Sequence, residues 1–287
     1  MARSSVISTG IFKVDETGIH PTDDFLAAEE PLEIRIVHGL YPQQATKSIS
    51  VTMRTPGHDQ ELATGFLFTE GIIKDVAEIR SIKHSNGPGE NVIEVELQPG
   101  VNFSLAKLDR NFYTTSSCGV CGKTSIEAIK TTRQLQANTD DDFQCTPSTI
   151  NQLPNVLRSK QNVFTQTGGL HACGLFTAKG DLVLSREDVG RHNALDKLIG
   201  TALHQHIFPL HNYLVLLSGR ASFELVQKAY MAGIKVVAAV GAPSSLAVQT
   251  AEEFGITLIG FVRDQTFNIY AGAQRIKIPV YENSYQG

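Results

Sequence analysis

Tyr213-Leu214-Val215-Leu216-Leu217 is an unbroken apolar run. No polar residue alternates with the apolar ones, so the run predicts a strand covered on both faces. The chain then repeats one logic twice. Ser222–Met231 has helical apolar spacing and stops at Gly233, and Lys235–Val240 reads as strand. Ser244–Phe254 is again helical and stops at Gly255, and Ile256–Val262 is again strand. Strands alternating with helices of this length predict a parallel sheet layered with helices, an α/β fold. In such sheets ligands favour the crevice at the carboxyl ends of the strands. Those ends are Ser218-Gly219-Arg220, Gly241-Ala242-Pro243-Ser244 and Arg263-Asp264.

Working outward, Gly190–Leu203 reads as a helix with Ala194, Leu195, Leu198 and Ile199 on one face. Leu170–Thr177 and Asp181–Arg186 form a predicted hairpin turned at Lys179-Gly180. Thr146-Pro147 opens a helix carrying Ile150, Leu153, Val156 and Leu157, with an interruption expected near Pro154. The first hundred or so residues read as β-rich. Pro31–Val37, Lys47–Met53 and Asn91–Leu97 are predicted strands. A helix from Gln60 to a stop at Gly71 presents Leu62 and Phe66, with Phe66 and Phe68 expected in the core. Composition divides the chain into a β-rich α+β region (1–110), a cysteine-bearing loop, helix and acidic linker (111–147) and an α/β part (148–287). Cys145 falls in the linker and is expected in a mobile loop, as an incidental free thiol. Cys173 is expected to be a small buried hydrophobe.

With 287 residues, 41% hydrophobic and 19% charged, the chain has the composition of an ordinary soluble globular protein. A net charge of −4 gives no general attraction to nucleic acid or to an anionic membrane, so an anion site must be built locally. No stretch approaches the ~20 apolar residues of a membrane helix. The amino-terminal residues lack the apolar segment of a secretory signal, and the cytoplasm is the expected compartment.

The chemistry-bearing motif is Cys118-Gly119-Val120-Cys121, set among small polar residues. It precedes a predicted helix capped by Thr124, with Glu127 reaching back. A helix start and Lys123 both favour a thiolate, the reactive form of cysteine. Three readings follow: a redox dithiol, half of a zinc site, or a sulfur relay. The first lacks the expected βαβ context. The second lacks two ligands, because no second C-x-x-C exists. In the third, a thiolate carries sulfane sulfur as a persulfide, and its neighbour assists or protects it.

Several segments, in order and over nearly the whole chain, resemble the FdhD family of formate dehydrogenase accessory sulfurtransferases. They are Thr55-Pro56-Gly57-His58-Asp59-Gln60-Glu61-Leu62-Ala63, Glu70-Gly71-Ile72-Ile73, Cys118–Lys123, Thr167-Gly168-Gly169-Leu170-His171-Ala172, Glu187–Lys197 and Ser218-Gly219-Arg220. The resemblance implies a fold similar to cytidine deaminases and a homodimer. It implies sulfur taken from a cysteine desulfurase and delivered to the molybdenum bis-molybdopterin guanine dinucleotide cofactor for formate dehydrogenase. It places the persulfide on Cys118, makes Cys121 the second member of the pair, and makes Phe261-Val262-Arg263-Asp264-Gln265-Thr266 a cofactor-binding segment. Asp264 and Gln265 depart from the Asn- and Gly-like residues of the family pattern. No intrinsic metal is expected. A zinc deaminase would carry H-x-E and P-C-x-x-C. Here Ser117 replaces the proline, and His171-Ala172 is followed by Cys173.

Two polar constellations complete the candidate site. Glu187-Asp188-Val189-Gly190-Arg191-His192-Asn193 opens a helix, so Arg191 and His192 are candidates for cofactor phosphate or for the sulfur-transfer centre. A satisfied polar turn is the competing reading. Gly219 allows close backbone approach and Arg220 suits phosphate, with a structural turn again the alternative. His58 and His171 read as core or surface histidines, and His204, His206 and His211 need no role. Two further functions remain open from sequence: a cofactor-binding chaperone without sulfur transfer, and a zinc deaminase-like enzyme.

Overall fold

Residues 4–85, 91–101 and 143–277 are described by a computed structural model, and they form three sheets. Strands β1 (Val6–Asp15) and β2 (Gly18–Ala27) make a long antiparallel hairpin. Strands β3 (Glu30–His38), β4 (Ala45–Arg54), β5 (Ile79–His84) and β6 (Val92–Leu97) form a second sheet, ordered β4-β3-β6-β5. Helix α1 (Asp59–Thr69) connects β4 towards β5. After helices α2 (Pro147–Arg158) and α3 (Asn162–Thr167) come β7 (His171–Phe176) and β8 (Leu182–Asp188). The chain then alternates through α4 (Arg191–His204), β9 (Leu214–Leu217), α5 (Phe223–Met231), β10 (Val236–Ala239), α6 (Ser245–Phe254), β11 (Thr257–Gly260) and β12 (Asn268–Ala271).

The layered α/β carboxyl-terminal part and the β-rich α+β amino-terminal part are both present. Strands β9, β10 and β11 are parallel, and every residue in them is buried, as an unbroken apolar run requires. Antiparallel neighbours flank them, giving the order β12-β11-β10-β9-β7-β8. One face of this sheet carries Leu214, Leu216, Val236 and Ala238 against Ile150, Leu153 and Leu157 of α2. The other carries Leu175, Val215, Leu217 and Val237 into a larger cluster. That cluster continues through Leu195, Leu198 and Ile199 of α4 and Leu62 and Leu67 of α1 to Leu32, Ile34, Ile93 and Val95 of the second sheet.

Helices α1 and α4 meet at Gly65 and Gly200. A Cβ on Gly65 would overlap the Asp196 carbonyl, and one on Gly200 would overlap the Glu61 carbonyl. Only glycine at both positions lets the two backbones touch. Helix α1 ends as the sequence predicts: Gly71 has φ 70°, and Ile72 N–H donates to Leu67 O while Gly71 N–H donates to Phe68 O. Phe68 is buried, and Phe66 is only partly so.

Two expectations need correction. The helix opened by Pro147 runs straight through Pro154 to Arg158. A mid-helix proline removes a single backbone bond, and the apolar face of Ile150, Leu153 and Leu157 is buried on both sides of it. Cys145 is not in a loose loop. Its N–H donates to Arg275 O at 3.0 Å and its carbonyl accepts from Lys277 N–H at 2.9 Å, so residues 143–147 are stitched to the chain near residue 276. The thiol is buried, and that burial pushes its pKa up to about 11. Cys173 is buried as expected. Strands β1, β2, β5 and β12 and helix α3 are additions that the sequence reading missed. Among the described residues no helix is long and apolar enough to cross a membrane.

Candidate functional site

Because β7 runs antiparallel to β9, its first residue lies at the carboxyl end of the parallel strands. Cys173 pairs with Leu217, which brings His171 beside Gly219. On its other side His171 pairs with Asp188, the last residue of β8. Beyond Gly219, Gly241 N–H donates to Gly219 O at 2.8 Å, and Phe261 N–H donates to Gly241 O at 3.1 Å. Asp188, His171, Gly219, Gly241 and Phe261 therefore form one row across the carboxyl edge of the sheet. The imidazole lies close over Gly219: a Cβ there would come within 3.0 Å of His171 Nδ1. Any larger residue at 219 would push the ring.

The 187–197 segment divides its labour by direction. Asp188, wholly buried, accepts from Lys197 Nζ at 2.7 Å, Gly190 N–H at 2.8 Å, Asn193 Nδ2 at 3.1 Å and Thr55 N–H at 3.1 Å. Asn193 Nδ2 also donates to Met53 O at 2.8 Å, and Lys197 Nζ to Thr55 O at 2.8 Å. These three side chains fasten the end of β4 to α4. Glu187, on the opposite face of β8, accepts from Val163 N–H at 3.1 Å and Phe164 N–H at 2.8 Å, capping the short helix α3. For these residues the satisfied polar turn is the right reading.

Arg191 and His192 behave differently. Arg191 makes no hydrogen bond or ion pair among the described residues, and its Nε is buried without a partner. His192 Nε2 lies 3.2 Å from Ser222 Oγ and 3.7 Å from Glu224 Oε2. The His192 imidazole close by holds the Glu224 carboxyl down to about 2, against the opposing effect of burial. Arg220 is exposed and has no partner among the described residues. His171 sits among these groups. Its burial lowers its pKa, and the charges of Arg191 and His192 lower it further. The sequence reading dismissed His171 as a core or surface histidine. The signal that could have found it is the antiparallel hairpin, which returns the start of β7 to the strand ends.

A cavity of about 560 Å³ opens beside this row. Its walls come from α2 (Asn155, Leu157, Arg158), α3 (Phe164), Gly168–His171, and the strand ends Leu216, Ser218 and Val240. The volume falls within the usual range of small-ligand sites, ~300–1,000 Å³. Arg158 stacks on Phe164, 3.9 Å from the ring centre. The 261–266 segment frames the same opening. Arg263 Nη1 donates to Val240 O at 2.7 Å, and Asp264 accepts from Asn155 Nδ2 at 3.0 Å. Phe261 is half-exposed with φ 53°, a left-handed backbone unusual for a bulky residue. Val262 is buried in the core, while Gln265 and Thr266 are exposed. The structure thus gathers Arg191, His192, Gly219, Arg220, Phe261, Arg263 and Asp264 around one edge. Cys118, Cys121 and the helix expected after them lie outside the described residues. Among the described residues no group of His, Cys, Asp or Glu side chains is arranged to hold a metal ion.

A family model described as the FdhD/NarQ family matches residues 27–277. The chain belongs to the FdhD/NarQ family. Among its curated relatives, the sulfur carrier protein FdhD of Streptomyces coelicolor is 47% identical over 93% of this chain and 94% of its own length. The protein of the same name from Mycolicibacterium paratuberculosis is 51% identical over 88% of this chain and 91% of its own. A crystal structure from Desulfotalea psychrophila, named as a formate dehydrogenase accessory protein, superposes with a TM-score of 0.72 at 25% identity, covering 95% of this chain and all of that one. The matched span takes in both polar constellations and the 261–266 turn.

Proposed function

We propose that this protein is a sulfur carrier that takes sulfane sulfur onto Cys118 and delivers it to a molybdenum cofactor bearing guanine nucleotides, for use by formate dehydrogenase. In the loading step the Cys118 thiolate attacks the outer sulfur of a cysteine desulfurase persulfide. A bond forms between Cys118 Sγ and that sulfur, the donor S–S bond breaks, and the donor leaves as a thiolate, so nothing is oxidised overall. In the release step the Cys121 thiolate attacks Cys118 Sγ and expels hydrosulfide. A Cys118–Cys121 disulfide remains, and a cellular dithiol reduces it. The cofactor is the substrate that receives the sulfur.

The observation that carries this reading, beyond family membership, is the pair of arginines without carboxylate partners among the described residues, Arg191 and Arg220, beside a cavity at the strand ends. Unpaired guanidinium groups around a glycine-bearing edge suit phosphate. The cavity has room for one nucleotide end of the cofactor rather than for all of it. The working assembly in this reading is a homodimer in the cytoplasm.

The test is intact-mass measurement of the full-length protein after incubation with a cysteine desulfurase and cysteine. Wild type and Cys121→Ala should each gain one sulfur, and Cys118→Ala should gain none. A folded wild-type protein that gains no sulfur on either cysteine would leave the cofactor-binding chaperone as the better reading.

A further inference from the structure

We infer that His171 is a direct contact for the bound anion and takes up a proton as the anion enters, so that ligand binding at this edge is linked to pH. The inference rests on the nucleotide-site reading above and adds a residue outside the expected cofactor contacts.

Placement comes first. His171 lines the 560 Å³ cavity, and its ring lies against Gly219 at the middle of the sheet edge. Neither ring nitrogen makes a hydrogen bond among the described residues. By contrast, His58, His192 and His204 each have a polar partner at about 3 Å. A half-buried imidazole with two unused polar atoms beside a cavity has its hydrogen-bonding capacity free for whatever fills that cavity.

The charges around it fix the direction of the effect. Arg191 and His192 face the ring from the start of α4, Arg220 from the turn after β9, and Asp188 from the end of β8. From α2, Arg158 lines the same cavity. Asp188 is the one carboxylate among them, and Lys197 at 2.7 Å already neutralises it. The groups around the ring are therefore short of negative charge, and burial together with its cationic neighbours lowers the His171 pKa. A phosphate among Arg191, Arg220 and His171 reverses the local field. It favours the protonated ring and accepts its N–H as a charge-assisted hydrogen bond. By linkage, a proton bound more tightly in the complex than in the free protein makes the complex tighter as pH falls. The ligand class is a phosphate diester or diphosphate attached to a flat ring. Leu157, Phe164, Leu216 and Val240 supply the apolar surface for that ring.

The experiment is titration calorimetry of the full-length protein with GDP-mannose. Its diphosphate diester does not titrate between about pH 6 and pH 8, so any proton taken up belongs to the protein. Measurements in two phosphate-free buffers of different ionisation enthalpy count that proton directly. Wild type should take up a fraction of a proton per site near neutrality, and its affinity should fall by up to about tenfold per pH unit as pH rises. His171→Gln should bind with roughly the wild-type affinity of the alkaline limit and take up none, while His211→Gln should keep the uptake. Binding by wild type without proton uptake would overturn the inference and leave the nucleotide reading standing. Uptake that persists in His171→Gln would also overturn it. Absence of any GDP-mannose binding by wild type would remove the nucleotide reading and the inference together.

Discussion

Asp188 accepts from a lysine, an asparagine and two backbone N–H groups while wholly out of water. Its partner Lys197 is equally buried, at 1% exposure. Two charges brought out of water are tolerable only as a pair, and removing one strands the other. Asp188→Asn should therefore cost about 3–5 kcal/mol, read from urea unfolding curves. Adding Lys197→Met should recover part of that loss, because no unpaired charge remains. A single variant within about 1 kcal/mol of wild type would show the pair to be dispensable. At this scale the sequence was only half legible. Glu187, Asp188, Arg191 and His192 look alike as a dense polar run. One caps a helix, one anchors β4, and two face the cavity edge. The direction of each side chain depends on the strand-to-helix join at Gly190 and on partners more than a hundred residues away, such as Thr55 and Met53.

Elements were legible where their burial is periodic or complete. The β9-β10-β11 series announces itself because parallel strands covered on both faces must be apolar throughout. The β1–β2 hairpin did not, because neither face is covered: Phe12, Val14 and Ile19 are more than two-thirds exposed. Helix α3 is too short to show a period and is held by a cap from β8. The α1–α4 crossing yields a prediction whose sign runs against propensity. A glycine inside an ordinary exposed helix is a weakness, and alanine there gains ~1 kcal/mol. Gly200→Ala should instead destabilise, by at least about 1–3 kcal/mol, because its methyl would overlap the Glu61 carbonyl and force the helices apart. Thermal unfolding of Gly200→Ala decides it, and a raised midpoint would mean that the helices separate freely.

For the molecule as a whole, the apolar cluster joining both large sheets through α1 and α4 means that polar contacts at the edges are read against one shared core. The strand ends named from the sequence meet at one edge, as a parallel sheet dictates, but the cavity beside them was not legible. Arg158 and Phe164 reach the cavity from helices after the acidic linker, and no spacing rule connects them to Ser218 or Val240. Acid stability belongs to this scale as well. Glu61, bonded to His58 and near Arg186, and Glu224, close to His192, are both held in the fold at about 2 rather than 4.5. Glu33 is lowered too, by its hydrogen bond from Arg35. Each of these carboxylates binds protons less readily in the fold than in the unfolded chain. Their stabilisation is complete above the unfolded value near 4.5 and is lost as pH falls towards 2. Solvent still reaches both carboxylates, with side-chain exposures of 25% and 18%, and screening holds each contribution to about 1 kcal/mol. Melting temperatures across that interval should fall steadily for wild type. Glu61→Gln with Glu224→Gln should start lower at neutral pH and fall less steeply. Parallel curves for the two proteins would mean that His58 and His192 do not engage these carboxylates in solution, leaving Ser222 as the group that holds the His192 ring.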